Sequence, residues 1–170
     1  MKLTIKQGNH YDDNIFSSWP HLFKTAFRKT VKFDKSCEYD LPAYNSEDVN
    51  KLFGGYFGFL AEHKNSARFG WRWSKSDKKI ELLAYVYNNG TRNWDEQMRF
   101  PVVAQIDLDQ EVECEIWIES GRYFFSVKLE GAIIGFKSVF HDKIPFWGLT
   151  QSFYFGGTAT APHDMYIFMS

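Results

Sequence analysis

Three features of the sequence predict an all-β fold, a jelly-roll sandwich of two antiparallel sheets. Short segments that alternate apolar and polar residues recur about every eight to twelve residues, separated by polar or glycine-containing turns. No segment longer than a turn carries helical periodicity. Aromatic residues make up 19% of the chain, with 17 Phe, 9 Tyr and 6 Trp among 170 residues. That load suits a core lined by the inner faces of two sheets.

The elements are read in order as follows. Lys2 to Lys6 forms a short edge strand, and Trp19-Pro20 punctuates the polar stretch after it, because the residue before proline avoids the helical region. Between Phe27 and Tyr39 the positions Phe27, Val31, Phe33, Cys37 and Tyr39 are apolar against Arg28, Lys32, Asp34 and Glu38, a long half-buried strand with a break near Lys35. Pro42 to Asp48 is a loop in which Ser46-Glu47-Asp48 starts one helical turn. Three strands follow, Leu52 to Ala61, Ser66 to Ser74 and Lys79 to Tyr87, and Asn88-Asn89-Gly90 then marks a type I′ hairpin turn. Trp94 to Pro101 reads as an irregular crossing. Val102 to Leu108, Glu111 to Glu119, Arg122 to Glu130, Ala132 to Phe140, Leu149 to Phe155 and Met165 to Met169 bring the count to about eleven strands. No linker, repeat or low-complexity tract divides the chain, so residues 1–170 are expected to be one domain.

The Ser66 to Ser74 strand carries the main functional clue. Ala67, Phe69, Trp71 and Trp73 fall on one side and Ser66, Arg68, Gly70 and Arg72 on the other, since side chains switch faces with period two. The next strand sets Ile80, Leu82, Ala84 and Val86 against Glu81, Leu83, Tyr85 and Tyr87. Neighbouring strands therefore offer Arg68, Arg72, Tyr85 and Tyr87 to one outer surface, expected to be cationic and wet. Glycines inside or beside the long strands, among them Gly54, Gly55, Gly70, Gly135 and Gly156, predict sheets that bend strongly, with a concave side long enough for an extended polymer.

Several function classes are disfavoured. A net charge of −1 supplies no global field for nucleic acid or an anionic membrane. No apolar run reaches the length of a membrane span, and no apolar segment near Met1 reads as a secretory leader. Cys37 and Cys114 lie in strand-like alternation and read as small apolar side chains rather than a disulfide. His10, His21, His63, His141 and His163 are scattered, without the three or four convergent ligands of a zinc site, and no cofactor is expected. Glu111, Glu113 and Glu115 share a strand face as a retaining glucanase pair would, yet they alternate with Val112, Cys114 and Ile116 as any solvated face does.

Four segments, in order and approximate spacing, resemble those of jelly-roll polysaccharide lyases of the concanavalin A-like lectin and glucanase superfamily. They are Asn50-Lys51-Leu52-Phe53-Gly54-Gly55, Ser66-Ala67-Arg68-Phe69-Gly70-Trp71-Arg72, Leu83-Ala84-Tyr85-Val86-Tyr87 and Tyr154-Phe155-Gly156-Gly157. The resemblance spans roughly residues 48–169 and implies a concave glycan-binding groove lined by Lys51, Arg68, Tyr85 and Tyr87. Phe53 stands where the lyase pattern prefers proline, and no full set of acid, base and carboxylate-neutralising residues is evident. The expected partner is a polysaccharide or oligosaccharide. Lyase chemistry would ask Arg68 to neutralise a uronate carboxylate and Lys51, His63, Tyr85 or Tyr87 to move protons. Two readings compete with it: arginine and tyrosine on a sheet face can pair across strands for stability alone, and Trp94, Trp117 and Trp147 suit a protein interface equally well.

Overall fold

The computed structural model describes residues 1–12, 18–58, 62–151 and 153–170. Thirteen strands are present among them: β1 (Lys2–Ile5), β2 (Pro20–Leu22), β3 (Ala26–Phe33), β4 (Asn50–Phe57), β5 (Ser66–Ser74), β6 (Lys79–Asn88), β7 (Thr91–Arg92), β8 (Val102–Ile106), β9 (Glu111–Glu119), β10 (Arg122–Leu129), β11 (Ala132–Phe140), β12 (Trp147–Gln151) and β13 (Met165–Met169). They form two antiparallel sheets. The back sheet has six strands in the order β1-β13-β3-β9-β10-β11; the front sheet runs β2-β12-β4-β5-β6-β7, with β8 also paired to β6. The chain is a jelly-roll sandwich, as its alternation predicts.

The alternation places the core. Ala67, Phe69 and Trp71 of β5 and Ile80, Leu82, Ala84 and Val86 of β6 are fully buried between the sheets, opposite Val31 and Phe33 of β3 and Phe125 of β10. Rings interlock across the gap, Phe33 with Trp71 at 4.9 Å and Phe69 with Phe125 edge-on at 5.2 Å, an arrangement that aromatic pairs favour over flat sandwiching. Cys37 and Cys114 are free and buried. Turn chemistry also holds: Asn89 and Gly90 both have positive φ, at 49° and 83°, as a type I′ turn requires.

Element boundaries differ where local pattern is weak. The segment from Phe27 to Tyr39 is a strand only to Phe33; a 3₁₀ turn, Lys35–Cys37, then begins where the Asp34 carboxylate accepts the Ser36 backbone N–H. The helical turn of the following loop lies at Ala43–Asn45, just ahead of Ser46. β4 starts at Asn50 rather than Leu52 and shifts register between Lys51 and Phe53; the last residues expected of it, 59–61, lie outside the described residues. β12 runs Trp147–Gln151, two residues ahead of expectation, so Trp147 belongs to a strand and not to a loop. The short β2 and β7 have too few residues to show periodicity.

β2 also carries a buried histidine. His21 is 8% exposed and sits edge-on to Phe27 at 5.7 Å and Phe57 at 5.5 Å. Burial, helped by the nearby Lys24 ammonium, lowers its pKa from the ordinary 6.5. A depressed folded-state pKa favours the neutral ring, so its contribution to stability is complete above about pH 6.5 and is lost as pH falls toward the folded-state value. Urea unfolding of the wild type should therefore weaken between about pH 7 and pH 5 more than that of His21→Phe. Equal pH dependence in the two proteins would contradict this.

Candidate functional site

The outward face of the front sheet holds the predicted residues in two register rows. One row crosses Gln151 of β12, Gly54 of β4, Arg68 of β5 and Tyr85 of β6. The row beside it crosses Leu149, Tyr56, Ser66, Tyr87 and Arg92. Gly54, at φ 150°, lets β4 lie close against β5 here: a Cβ at this position would fall 2.2 Å from the Ala67 carbonyl oxygen. Arg68 and Tyr85 are thus direct cross-strand neighbours, with the guanidinium 4.6 Å from the ring centroid.

The face is less wet than the alternation implies. Arg68 is only 2% exposed, Tyr85 and Tyr87 are 6% and Lys51 is 9%. Part of the reason is the irregular segment between β7 and β8. Phe100 stacks on Tyr85 at 4.0 Å and, with Trp94, Val49 and Val102, closes a second apolar cluster over Leu83, Tyr85 and Tyr87. The segment is held by Asp95, whose carboxylate accepts the backbone N–H groups of Gln97 and Arg99, and by the Ala84 N–H donated to the Pro101 carbonyl. Gly70 makes room for the lid, since a Cβ there would lie 2.5 Å from Val49 Cγ1. The expected cationic surface is therefore a recessed groove of about 470 Å³ beside this lid.

Cations dominate the groove. Among the described residues, Lys51, Arg68 and Arg92 line it against one carboxylate, Glu62. Arg92 Nε donates to Tyr87 Oη at 2.7 Å. Lys51 Nζ donates to the Gly156 carbonyl at 2.9 Å and lies 5.1 Å from the rings of both Tyr85 and Tyr154. Its position is fixed by the backbone, because Lys51 and Tyr154 exchange both N–H···O bonds, at 2.8 and 3.0 Å. Burial, reinforced by Arg68, lowers the Lys51 pKa to about 8. Burial likewise raises the Tyr85 phenol, with Arg68 opposing the shift.

Arg68 is the least satisfied group. Its Nη2 donates to the Glu62 main-chain carbonyl at a long 3.3 Å, and its Nε has no partner among the described residues. The Glu62 carboxylate lines the same groove and favours the charged guanidinium from a distance, while its own close contacts are His63 Nε2 at 2.9 Å and Gln151 Nε2 at 3.2 Å. A buried guanidinium normally finds a carboxylate. Here the guanidinium has no carboxylate hydrogen-bonded to it among the described residues, and the residue lines the groove.

Of the residues expected from the sequence, Lys51, Arg68, Tyr85 and Tyr87 line one hollow. Arg72 does not line it. It lies four residues further along β5, two positions on along the same face, where its guanidinium is bound by Glu81 at 2.6 Å and Glu47 at 2.5 Å, an ion-pair role. His63 reaches the rim, edge-on to Tyr87 at 5.2 Å. The lining also includes Tyr56, Glu62, Arg92, Gln151 and Tyr154. Tyr56 and Gln151 could have been placed by extending the alternation of β4 and β12, whereas Arg92 and Tyr154 arrive from segments with no periodicity. Among the described residues no cluster of three or more His, Cys, Asp or Glu side chains could hold a metal ion.

No protein-family model matches the chain. No curated protein matches it in sequence. Solved structures do match over nearly the whole chain. A functionally unknown protein from Saccharomyces cerevisiae is 10% identical, with a TM-score of 0.58, covering 99% of this chain and 83% of its own. An alginate lyase is also 10% identical, with a TM-score of 0.57 and coverage of 99% and 72%. A β-glucanase of Bacillus licheniformis gives 10% identity, a TM-score of 0.51 and coverage of 98% and 74%. At such low identity the likeness is one of architecture alone, and what the chain shares with these proteins is the jelly-roll fold.

Proposed function

We propose that this protein binds an acidic polysaccharide in the groove of its front sheet, with Arg68 and Lys51 receiving the carboxylate of one sugar. The observation that carries this reading is the pair of buried cations lining one groove, one of them with an N–H that has no partner among the described residues. A carboxylate is the group whose geometry and charge match a guanidinium fork. Tyr56, Tyr85, Tyr87 and Tyr154 supply apolar ring surface for sugar C–H faces and hydroxyls for sugar oxygens. The alginate lyase among the structures of like fold accords with an anionic glycan.

Lys51 favours a second, catalytic reading. An amine with a pKa of about 8 is partly neutral just above physiological pH and can take up a proton. In a lyase step the base removes the C5 proton of a uronate, the C5–H electrons form the C4=C5 double bond, and the C4–O bond breaks with the leaving oxygen protonated. Arg68 would stabilise the charge that develops on the carboxylate. Unsaturated products absorb in the ultraviolet, so incubation with alginate, pectate and hyaluronan separates the two readings. Absorbance growth supports the lyase, and binding without it supports a glycan-binding protein.

Calorimetric titration with the same panel checks the site. Charge-assisted hydrogen bonds contribute about 1.5–3 kcal/mol, so Arg68→Met and Lys51→Met should each weaken binding roughly tenfold to a hundredfold. Arg28→Met, which removes a charge from the back sheet, should leave binding unchanged. Retained affinity in both groove variants, or no binding to any acidic glycan, would overturn the proposal.

The Lys51 amine gives an independent readout. Its NMR titration midpoint should lie near 8 in the free protein and rise on saturation with a bound uronate oligosaccharide, because a nearby carboxylate favours the charged form. An unmoved midpoint would place the ligand away from Lys51.

A further inference from the structure

The outward face of the back sheet is polar where β3 meets β9. Arg28, Thr30 and Lys32 stand opposite Glu115, Glu113 and Glu111, and Arg28 Nε bonds the Glu115 carboxylate at 2.6 Å. At the β11 edge the pattern reverses. Gly135, Lys137 and Val139 take the inner side, opposite the core residues Val127, Phe125 and Tyr123, while Phe136 and Phe140 point outward beside Ser126 and Arg122. A register shift after Val127 brings Ile133 opposite Lys128, onto that same outer face, and leaves Ile134 unpaired next to it. Ile133, Ile134, Phe136 and Phe140 are 62%, 41%, 48% and 58% exposed. The half-buried Trp117 and Phe124 continue the patch, with their rings 5.9 and 6.0 Å from that of Phe136. A strand with glycine and lysine inward and its large apolar side chains in water marks a contact surface.

We infer that this face joins two copies of the chain, packed face to face across a two-fold axis that lays β11 of each over β9 of the other. Ring geometry disfavours a sugar here, because Trp117 and Phe124 stack at 5.0 Å with 14° between their planes and so cover each other's faces. Pairing edge to edge is also disfavoured. The β-bulge at Ile133–Ile134 and the inward-side Lys137 are features that keep an edge strand from adding a neighbour. Shape and charge fit a second copy. Beside Trp117 lies an open hollow of about 500 Å³ lined by Ala26, Glu115 and Glu119, and a two-fold sets the Phe136 and Phe140 ridge of each copy into the hollow of the other. Lys137, the one charged residue of β11, then approaches those two carboxylates. The area also matches. Side chains of this size have roughly 150–250 Å² of surface each, so at these exposures the patch supplies about 450 Å² of apolar surface per copy. A standard interface of about 800 Å² per partner, roughly 60% apolar, needs about as much. The front-sheet groove lies on the opposite side of the sandwich and stays free.

Sedimentation velocity measures this directly. Interfaces of this size hold from about micromolar Kd downward, so the wild type should show the dimer mass within roughly 1–100 μM. Phe136→Glu replaces a half-exposed ring once in each copy and should raise the dimer Kd at least roughly a hundredfold. Arg68→Met, which alters only the groove, should remain dimeric, so the outcome is separate from the glycan reading. The indole N–H resonance of Trp117 in the wild type should move with protein concentration, a readout that does not depend on a variant folding. A wild type that is monomeric at about 100 μM, a Phe136→Glu protein that dimerises like the wild type, or a Trp117 resonance fixed across the dilution overturns the inference. A monomer whose Trp117 resonance shifts with phosphatidylcholine vesicles overturns it in favour of a lipid surface.

Discussion

A guanidinium buried in a sheet face, with no carboxylate hydrogen-bonded to it among the described residues, is the constraint around which this molecule is arranged. Arg68 is almost inaccessible, rests over the Tyr85 ring and offers its Nε to no acceptor among the described residues. Taking such a group out of water costs several kcal/mol unless its donors are matched. The cost is accepted only because the rest of the sandwich is secure, with Phe33, Phe69, Trp71 and Phe125 interlocked directly beneath. A close cation–π contact repays part of it. An anionic ligand that reaches the guanidinium would repay more.

The lid explains why the groove is recessed. Had Phe100 and Trp94 stayed away from β6, Arg68 and Tyr85 would lie on an open, hydrated surface, where ion pairs are screened and contribute little. Recessing them lowers the local dielectric and strengthens any contact with a carboxylate. The same burial moves Lys51 down to about 8, which couples its charge state to occupancy of the site. Arg72 shows the alternative outcome on the same strand: its charge is matched by the Glu81 and Glu47 carboxylates.

The fold was legible in the sequence wherever period-two alternation was long and the turn residues were diagnostic. β5 and β6 have both, and their inward and outward sets stand as the pattern requires. Strands of two or three residues, such as β2 and β7, cannot display a period, and the strand that holds Trp147 was expected to begin only at Leu149. The site was legible as a face and not as a cavity. Alternation places Arg68, Tyr85 and Tyr87 together, whereas their burial depends on where an aperiodic segment, residues 93–101, happens to cross. Arg72 stands on the face that alternation predicts but outside the groove lining: alternation fixes the face of a strand, and only tertiary neighbours such as Glu47 fix what a side chain on that face is bound to.

The most direct measurement is a crystal structure of the protein with an oligouronate. A carboxylate oxygen should lie within hydrogen-bond distance of Arg68 Nε, with Lys51 Nζ close by and the sugar ring against Tyr85 or Tyr154. An oligouronate bound elsewhere, with Arg68 turned to pair with the Glu62 carboxylate, would contradict the idea that this guanidinium is kept for a ligand.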